Sequence, residues 1–333
     1  MDSMATELFD DWWRFANERQ SVFFRRHRGT AAPWTDDPIL ITYRFTNAYR
    51  ASDRVSQYLI REVQYRPDRA QSPPELFFRT LLFKFFNRIE TWERIERELG
   101  PAVWQTADLS SVARVLEGMR LEGRPIYSAA YIMPAPPFGY SRKHENHLAL
   151  LAHMMDDGLP NRITQARSLR HVYEMLLGYP AMGPFLAFQY AIDLNYSVLL
   201  DFDEADFVIA GPGARDGIAK CFESIGGATA EEVIYWTAER QKSEFARLGL
   251  DFQDLLGRPL QPVDCQNIYC EISKYARAAY PELAGISGRR RIKQKFRRDP
   301  RPLAPPMYPP KWHLRIPADG RGLSSRTDKV SVK

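Results

Sequence analysis

Residues 176–195 read LLGYPAMGPFLAFQYAIDLN, a stretch in which two apolar segments flank a short turn. The first segment ends at Gly178, and the second begins at Pro184, in the helix position that tolerates a missing N–H group. The spacing predicts two helices joined by a tight hairpin, in which Gly178 and Gly183 permit the turn. The N–H groups and the positive dipole end of the second helix could then bind a phosphate. An ordinary helix–turn–helix corner explains the same spacing.

An acidic stretch follows the second of these helices. Residues 199–222 read LLDFDEADFVIAGPGARDGIAKCF and supply Asp201, Asp203, Glu204 and Asp206 before a Gly-Pro-Gly turn. The residues after that turn are typical of a further helix. The sequence therefore places several carboxylates between two helices, shortly after the predicted hairpin.

Most of the chain is typical of helix. The predicted helices cover residues 75–99, 110–118, 144–156, 164–177, 184–196, 215–225, 229–248 and 265–279. Thr229 and Glu232 stand at capping-box spacing, and Asp264 is predicted to cap the last helix. Strand-like runs are few, and ILITYRF and FVIA are short enough to be buried helix or loop. We therefore predict an all-α fold.

Charge is distributed unevenly along the 333 residues. Residues 286–333 contain 14 Lys/Arg and 3 Asp/Glu, a net charge of +11, so the remainder has 32 Lys/Arg and 38 Asp/Glu, a net charge of −6. We expect a helical domain of two lobes with a cleft over residues 1–285, and a basic, Pro-rich, flexible tail over residues 286–333. The tail can neutralise DNA phosphates, although a solvated terminus is the simpler interpretation. Its candidate DNA-binding residues are Arg289, Arg290, Arg291, Lys293, Lys295, Arg297 and Arg298.

Other features narrow the class of protein. Three cysteines without CxxC spacing indicate a reducing compartment and exclude a four-cysteine iron–sulfur cluster. The acidic N-terminus is unlike a signal peptide, and Lys84 interrupts the apolar run LLFKFF. We expect a cytoplasmic protein with no membrane contact and no obligate protein partner. The motif HENH (144–147) lacks HExxH spacing, so we expect neither a metal nor another cofactor.

The hairpin and the acidic stretch resemble the helix-hairpin-helix DNA glycosylase superfamily. Six blocks in order extend the resemblance to one branch, the alpha-glutamyl/putrescinyl thymine pyrophosphorylases, also found as the helical domain of 5-hydroxymethyluracil DNA kinases. The blocks are RFTNAYRASDRVSQYLI, FFRTLLFKFFNRIETWE, HENHLALL, GYPAMGPFLAFQYAIDLNYS, DFVIAGPGARDGIAKCF and DCQNIYCEISKYAR. The resemblance implies a bilobal helix-hairpin-helix glycosylase-like fold that acts on modified bases in double-stranded DNA. The chain lacks the kinases' GxxxxGK[ST] motif, so we do not expect it to phosphorylate the base.

The resemblance also implies site residues. Gly178, Tyr179 and Gly183 would contact the DNA backbone, and Asp206 is the first candidate for the catalytic aspartate, with Asp203 the second. One carboxylate near C1′ stabilises the cationic sugar formed as the N-glycosidic bond breaks. A helix cap or a surface position explains either acid as well. No lysine follows the hairpin, so water would attack and leave an abasic site.

A base that reacts must leave the stack and enter a pocket with polar groups. On a helix, Asn47, Arg50 and Arg54 share one face, and Asp53 and Gln57 share a neighbouring one. A second set, Asn267, Glu271 and Lys274, forms one stripe of the last predicted helix. Except for Arg54, these are our candidate base-pocket residues. Salt-bridged or solvent-facing helices are the alternatives.

Three functions are consistent with these features. The leading hypothesis is a monofunctional DNA glycosylase that excises a hypermodified pyrimidine from phage DNA in anti-phage defence. The alternative is a transferase that displaces pyrophosphate from an activated 5-hydroxymethyluracil and installs an amino acid or polyamine. Its cations for the leaving phosphates would be Arg44, Arg50, Arg54 and Lys274. The third is a noncatalytic DNA-binding module.

Overall fold

The computed structural model describes residues 4–283, 285–299 and 303–316, which are predominantly helical and confirm the all-α class. The helices are α1 (Glu7–His27), α2 (Pro38–Thr42), α3 (Arg54–Tyr58), α4 (Pro73–Phe86), α5 (Ile89–Leu99), α6 (Leu109–Leu121), α7 (Lys143–Asp156), α8 (Leu159–Ile163), α9 (Leu169–Leu177), α10 (Pro184–Asn195), α11 (Pro212–Cys221), α12 (Ala230–Arg247) and α13 (Pro262–Ala279). Short 3-10 turns occupy Arg50–Ser52, Trp104–Thr106 and Pro310–Trp312, and a π-helix occupies Leu59–Gln64. Strand β1 (Met4–Ala5) pairs antiparallel with β2 (Phe222–Ser224).

The chain divides into two compact units. Unit 1 comprises Met1–Asp53 and Ala210–Lys333, and unit 2 comprises Arg54–Ile209. Unit 1 therefore contains helices α1, α2 and α11 to α13. Unit 2 contains α3 to α10. Nowhere in the described ranges is a helix long and apolar enough to cross a membrane.

The core of unit 1 forms where α1, α11 and α12 pack on α13. Trp12 and Trp13 of α1 are fully buried, and the Trp12 ring lies 5.4 Å from that of Tyr269 in α13. Helix α11 approaches α13 closely because Gly213 and Gly217 face it. A Cβ atom at Gly217 would lie 2.0 Å from the carbonyl oxygen of Tyr269.

The core of unit 2 surrounds α4, which is buried on every side because it carries apolar residues around its whole circumference. The predicted single helix 75–99 is instead two helices, α4 and α5. The break falls at Asn87, which adopts a left-handed conformation (φ 49°) and ends α4. Asn87 also accepts a hydrogen bond from Lys84 Nζ (2.7 Å), so its side chain is used in the core as well.

Two helix starts test the capping predictions. The capping box of Thr229 and Glu232 is present at the start of α12 and is confirmed. The prediction that Asp264 is the N-cap of the last helix is wrong, because α13 begins at Pro262, three residues earlier than predicted, and Gln261 is its N-cap. Asp264 reaches back instead and accepts the backbone N–H of Gln261 (3.0 Å).

The described residues after 285 contact the rest of unit 1. Lys295 forms an isolated antiparallel bridge with Tyr43. Tyr308 is 4% exposed, and its hydroxyl lies 2.7 Å from that of Ser52. The domain boundary at residue 285 and the flexibility of the tail stay predictions.

Candidate functional site

The segment from Arg44 to Asp53 is not helical, although the predicted common face of Asn47, Arg50 and Arg54 requires a helix. The backbone N–H groups of Asn47 and Arg50 donate to the carboxylates of Asp53 and Asp264, each at 2.7 Å. Because side chains accept these bonds, the segment forms a loop and one 3-10 turn, and helix α3 starts only at Arg54. The shared helical faces predicted for Asn47, Arg50 and Arg54 and for Asp53 and Gln57 are therefore wrong.

Helix α13 holds this loop from one side. Glu271 Oε2 accepts the N–H of Thr46 (2.9 Å), and the amide of Asn267 donates to Thr46 Oγ1 (3.0 Å) and to the carbonyl of Asn47 (3.3 Å). Lys274 Nζ pairs with Glu271 Oε2 at 2.7 Å. The structure thus brings Asn267, Glu271 and Lys274 together with Asn47.

Arg19 of α1 also binds the loop and was not among the residues predicted from the sequence. Its guanidinium donates to the carbonyl of Thr46 (2.8 Å) and to Asn47 Oδ1 (3.1 Å). The side chain is 9% exposed. An arginine within the largely apolar face of α1 was the available signal, since a buried guanidinium needs several acceptors.

Burial changes the acid–base properties of this cluster. It raises the pKa of Asp53 from 3.8 to about 7, with Glu271 acting in the same direction and the Asn47 N–H, Arg19 and Arg50 opposing it. Burial likewise raises the pKa of Asp264 to about 6. The loop therefore carries a carboxylate that exchanges its proton near neutral pH.

Two further candidates differ in placement. Arg50 is 2% exposed and lies in the loop just described. Gln57 lies in α3, in unit 2. Arg54 also belongs to unit 2, where its guanidinium pairs with Glu90 at 3.5 Å.

Unit 2 contains the hairpin between α9 and α10. Gly178 and Gly183 both have negative φ values, −67° and −71°, so the turn does not depend on left-handed glycines. Ala181 takes that conformation instead, with φ 61°. Tyr179 anchors the hairpin, since its hydroxyl bonds to Asp157 and accepts from Arg162 (2.8 Å). A Cβ atom at Gly183 would meet no protein atom within 4 Å.

The acidic stretch after α10 is a fixed loop. The side-chain amide of Asn195 donates to the carbonyl of Phe202 (2.9 Å), and Asn195 Oδ1 accepts the N–H of Phe202 (3.0 Å). Asp203 is exposed and accepts the N–H of Ala205 (2.9 Å), which makes a local turn. Asp206 is exposed, six residues before the start of α11 at Pro212. Glu204, which the sequence analysis named but did not select, is the buried acid of this loop.

Phe207, which follows Asp206 in the chain, anchors the loop through aromatic contacts. Phe207 is buried 5.0 Å from the ring of Tyr173 and 5.7 Å from that of Phe188, with the guanidinium of Arg170 4.4 Å above it. The exposed Asp206 is therefore directly followed by a buried residue that anchors the loop.

The two histidines of HENH have structural partners. The ring of His147 lies 2.8 Å from the hydroxyl of Tyr127 and 3.0 Å from the carbonyl of Pro134. Burial lowers the pKa of His147 to about 4, so its ring is neutral at physiological pH. His144 lies 3.9 Å from Glu117. No group of three or more metal-ligating side chains occurs within residues 4–283, 285–299 and 303–316.

The seven basic candidates from Arg289 to Arg298 are all exposed. They follow α13 in unit 1 and run past the end of α2. The carbonyl of Gln294 accepts the N–H of Arg44 (3.0 Å), and the N–H of Phe296 donates to the carbonyl of Thr42 (3.0 Å). Their backbone is therefore attached to the fold at that point.

Comparison with known proteins identifies relatives. Residues 6–285 match the family described as the helical domain of 5-hmdU DNA kinase. A 5-hmdU DNA kinase of Bacillus phage SP10 is 31% identical over 291 residues, covering 80% of this chain and 45% of the phage protein. The chain thus spans less than half the length of that relative. No solved structure matches.

These relatives correct the leading functional hypothesis. A DNA glycosylase is a hydrolase, whereas the phage relative is named as a kinase, which is a transferase. The assignment as a monofunctional glycosylase is therefore wrong, and the alternative of a transferase acting on modified DNA is the better supported one. Because the match covers 280 of the 333 residues (6–285), the chain belongs to the family of the 5-hmdU DNA kinase helical domain.

Proposed function

We propose that this chain is a transferase that modifies 5-hydroxymethyluracil in DNA after the hydroxyl has been converted to its pyrophosphate ester. An amine nitrogen attacks the 5-methylene carbon while the carbon–oxygen bond breaks. Pyrophosphate leaves with the electron pair, and the amine gives its proton to a base. The observation that carries this proposal is the family match over residues 6–285, joined to a name that specifies DNA containing 5-hmdU.

The loop Thr46–Asp53 supports the chemistry. A base that accepts a proton from an amine works best with a pKa near the working pH, and that of Asp53 is raised to about 7. Asn47, Asn267 and Glu271 fix the loop and supply polar groups suited to the edge of a pyrimidine. We assign Asp53 as the candidate base.

The leaving phosphates need cations. Lys274 is held by Glu271 and is 16% exposed at its side chain, and Arg44 is exposed on the same unit. We propose these two, with Arg50, as the groups that neutralise the departing pyrophosphate. We do not include Arg54, because its guanidinium pairs with Glu90 at 3.5 Å.

We further propose that α9, the hairpin and α10 form a helix-hairpin-helix element of the kind seen in the glycosylase superfamily. In this element, Gly178, Tyr179 and Gly183 bind the DNA backbone, and the open space at Gly183 leaves room for a phosphate. Asp206 and Asp203 stay candidate site residues. Their exposure suits contact with DNA-bound substrate or with the incoming amine.

The test uses a DNA duplex with one pyrophosphorylated 5-hydroxymethyluracil, with putrescine or glutamate as the donor. Wild-type protein should release pyrophosphate and add the donor mass to the nucleoside, as measured by mass spectrometry. Asp53→Asn should slow this by about 10²-fold or more, because the proton acceptor is lost. Asp251→Asn, at an exposed acid, is the matched control and should react like wild type.

Further outcomes separate the roles of the acids. A loss of activity in Asp206→Asn with full activity in Asp53→Asn would move the base to unit 2. Free base and alkali-labile sites without any gain in mass would contradict the transferase.

A further inference from the structure

The basic segment, residues 289–298, lies beyond the residues that match the family, and its course is fixed at both ends. At its start, the N–H of Ser287 donates to Asp216 Oδ1 (2.6 Å). Asp216 itself pairs with Lys220 at 3.2 Å, and both side chains are at most 2% exposed. A Cβ atom at Gly285 would lie 2.6 Å from Asp216 Oδ1, so only glycine lets the chain pass over this ion pair.

Further along, the segment forms one antiparallel bridge. Lys295 stands opposite Tyr43, and hydrogen bonds of 3.0 Å flank this pair on both sides. The ring of Phe296 lies 6.4 Å from Trp34, and the guanidinium of Arg298 lies 5.7 Å above the same ring. Residues 296 and 298 therefore turn towards unit 1.

Alternation along an extended chain sets the direction of the other side chains. If 296 and 298 face unit 1, then Lys295 and Arg297 face away from it, and Lys293 continues the same row. Every second residue of a strand is about 6.6 Å from the next one on its face, which is close to the step between phosphates of a nucleic-acid strand. Three cations thus stand in a row on a fixed backbone.

The charges of this row are not neutralised within the described residues. All seven basic side chains of the segment are exposed, and none forms an ion pair with a carboxylate in the described ranges. No acidic residue occurs from Gly285 to Arg298. Like charges held at short spacing repel each other, and a polyanion that neutralises them releases its own counterions.

We propose that Lys293, Lys295 and Arg297 form a preformed cationic strand that binds consecutive phosphates of a DNA strand, as a contact separate from the modified base. This inference rests on the proposed function for the identity of the polyanion. It adds a DNA-binding surface outside the family's helical domain. The contact is independent of base sequence and depends on salt.

The first experiment measures binding alone. Fluorescence anisotropy with an unmodified duplex of about 30 bp, at roughly 50 to 300 mM NaCl, gives the slope of log K against log salt. The variant K293Q/K295Q/R297Q should bind at least about tenfold more weakly near 0.1 M salt, with a slope shallower by about 2.7. The control R114Q/R124Q/K242Q removes three exposed cations elsewhere and should keep the wild-type slope.

A second pair of variants tests the fixed backbone rather than the charge. Phe296→Pro deletes the N–H that bonds to Thr42 and keeps all seven cations, whereas Phe296→Ala keeps the N–H and deletes the ring. We expect severalfold weaker binding for the proline variant and a smaller change for the alanine variant. Equal affinities for wild type and Phe296→Pro would overturn the preformed strand.

The outcomes separate this inference from the proposed function. An unchanged affinity and slope in the triple variant would overturn the cationic strand, while base modification by the same protein would still support the transferase. Tighter binding to an RNA duplex of equal length than to DNA would overturn DNA as the partner of the strand. Weak binding by the triple variant together with no base modification by the wild type would support the strand and contradict the transferase.

Discussion

Asp53 makes the stability of the protein depend on pH in an unusual direction. Its pKa rises from 3.8 to about 7 because the folded protein buries the carboxyl group. A raised folded-state pKa adds stability that is complete below pH 3.8 and is lost as the pH rises towards 7. Between about pH 4 and 7, wild type should therefore lose about 1–2 kcal/mol relative to Asp53→Asn, after allowance for partial exposure.

Urea unfolding at several pH values measures this difference. Asp251→Asn, at an exposed acid, is the matched control. Parallel curves for wild type and Asp53→Asn would show that Asp53 titrates normally.

Lys84 is a second residue whose buried environment determines how its substitution changes the stability of the protein. Its ammonium group is 3.1 Å from Asp193 Oδ2, and both side chains are at most 2% exposed. Lys84→Met should destabilise the protein by about 3–5 kcal/mol, because it leaves a buried carboxylate without that cation. Thermal unfolding should show partial recovery in K84M/D193L and little change in Lys242→Met, at an exposed site.

At the scale of helices, the contact of α11 with α13 permits a sharp comparison. Gly217→Ala would force a Cβ atom to within 2.0 Å of the Tyr269 carbonyl oxygen, so α11 must move. We expect a loss of about 1–3 kcal/mol or more in urea unfolding. Gly118→Ala in α6, where nothing lies within 4 Å, should instead gain about 0.5–1 kcal/mol. Equal effects of the two variants would mean that α11 does not depend on this close approach.

The same scale shows what the sequence could predict. Local signals gave reliable results: the capping box at Thr229 and the proline start of α10 both fall where they were expected. The helical interpretation failed for residues 44–53, because Asp264, more than 200 residues away in sequence, binds the N–H of Arg50. Periodicity within a segment carries no information about such distant acceptors.

Candidate site residues show the same limit. Asn267, Glu271 and Lys274 were found because their spacing on a helix is a local property. Arg19 was missed because its acceptors belong to a loop 26–28 residues further along the chain. Glu204 is buried, whereas Asp203 and Asp206 are exposed. This difference between three neighbouring acids depends on the tertiary structure and has no sequence signature.

For the whole molecule, the proposed function leads to a prediction about reaction order. If it acts after phosphorylation, plain 5-hydroxymethyluracil DNA should give no amine adduct, even with donor in excess. The same DNA, first treated with ATP and the kinases that convert the hydroxyl to its pyrophosphate ester, should give the adduct by mass spectrometry. An adduct without that treatment would contradict the order.

The buried Asp216–Lys220 pair also bears on where this polypeptide can be shortened. A fragment that stops at residue 285, the border of the family match, would lose the Ser287 N–H that Asp216 accepts. It would also let water reach an ion pair that the full chain keeps dry. We therefore expect a fragment that ends at residue 285 to unfold at a lower temperature than one that keeps Ser287, and thermal unfolding of the two fragments would measure the difference.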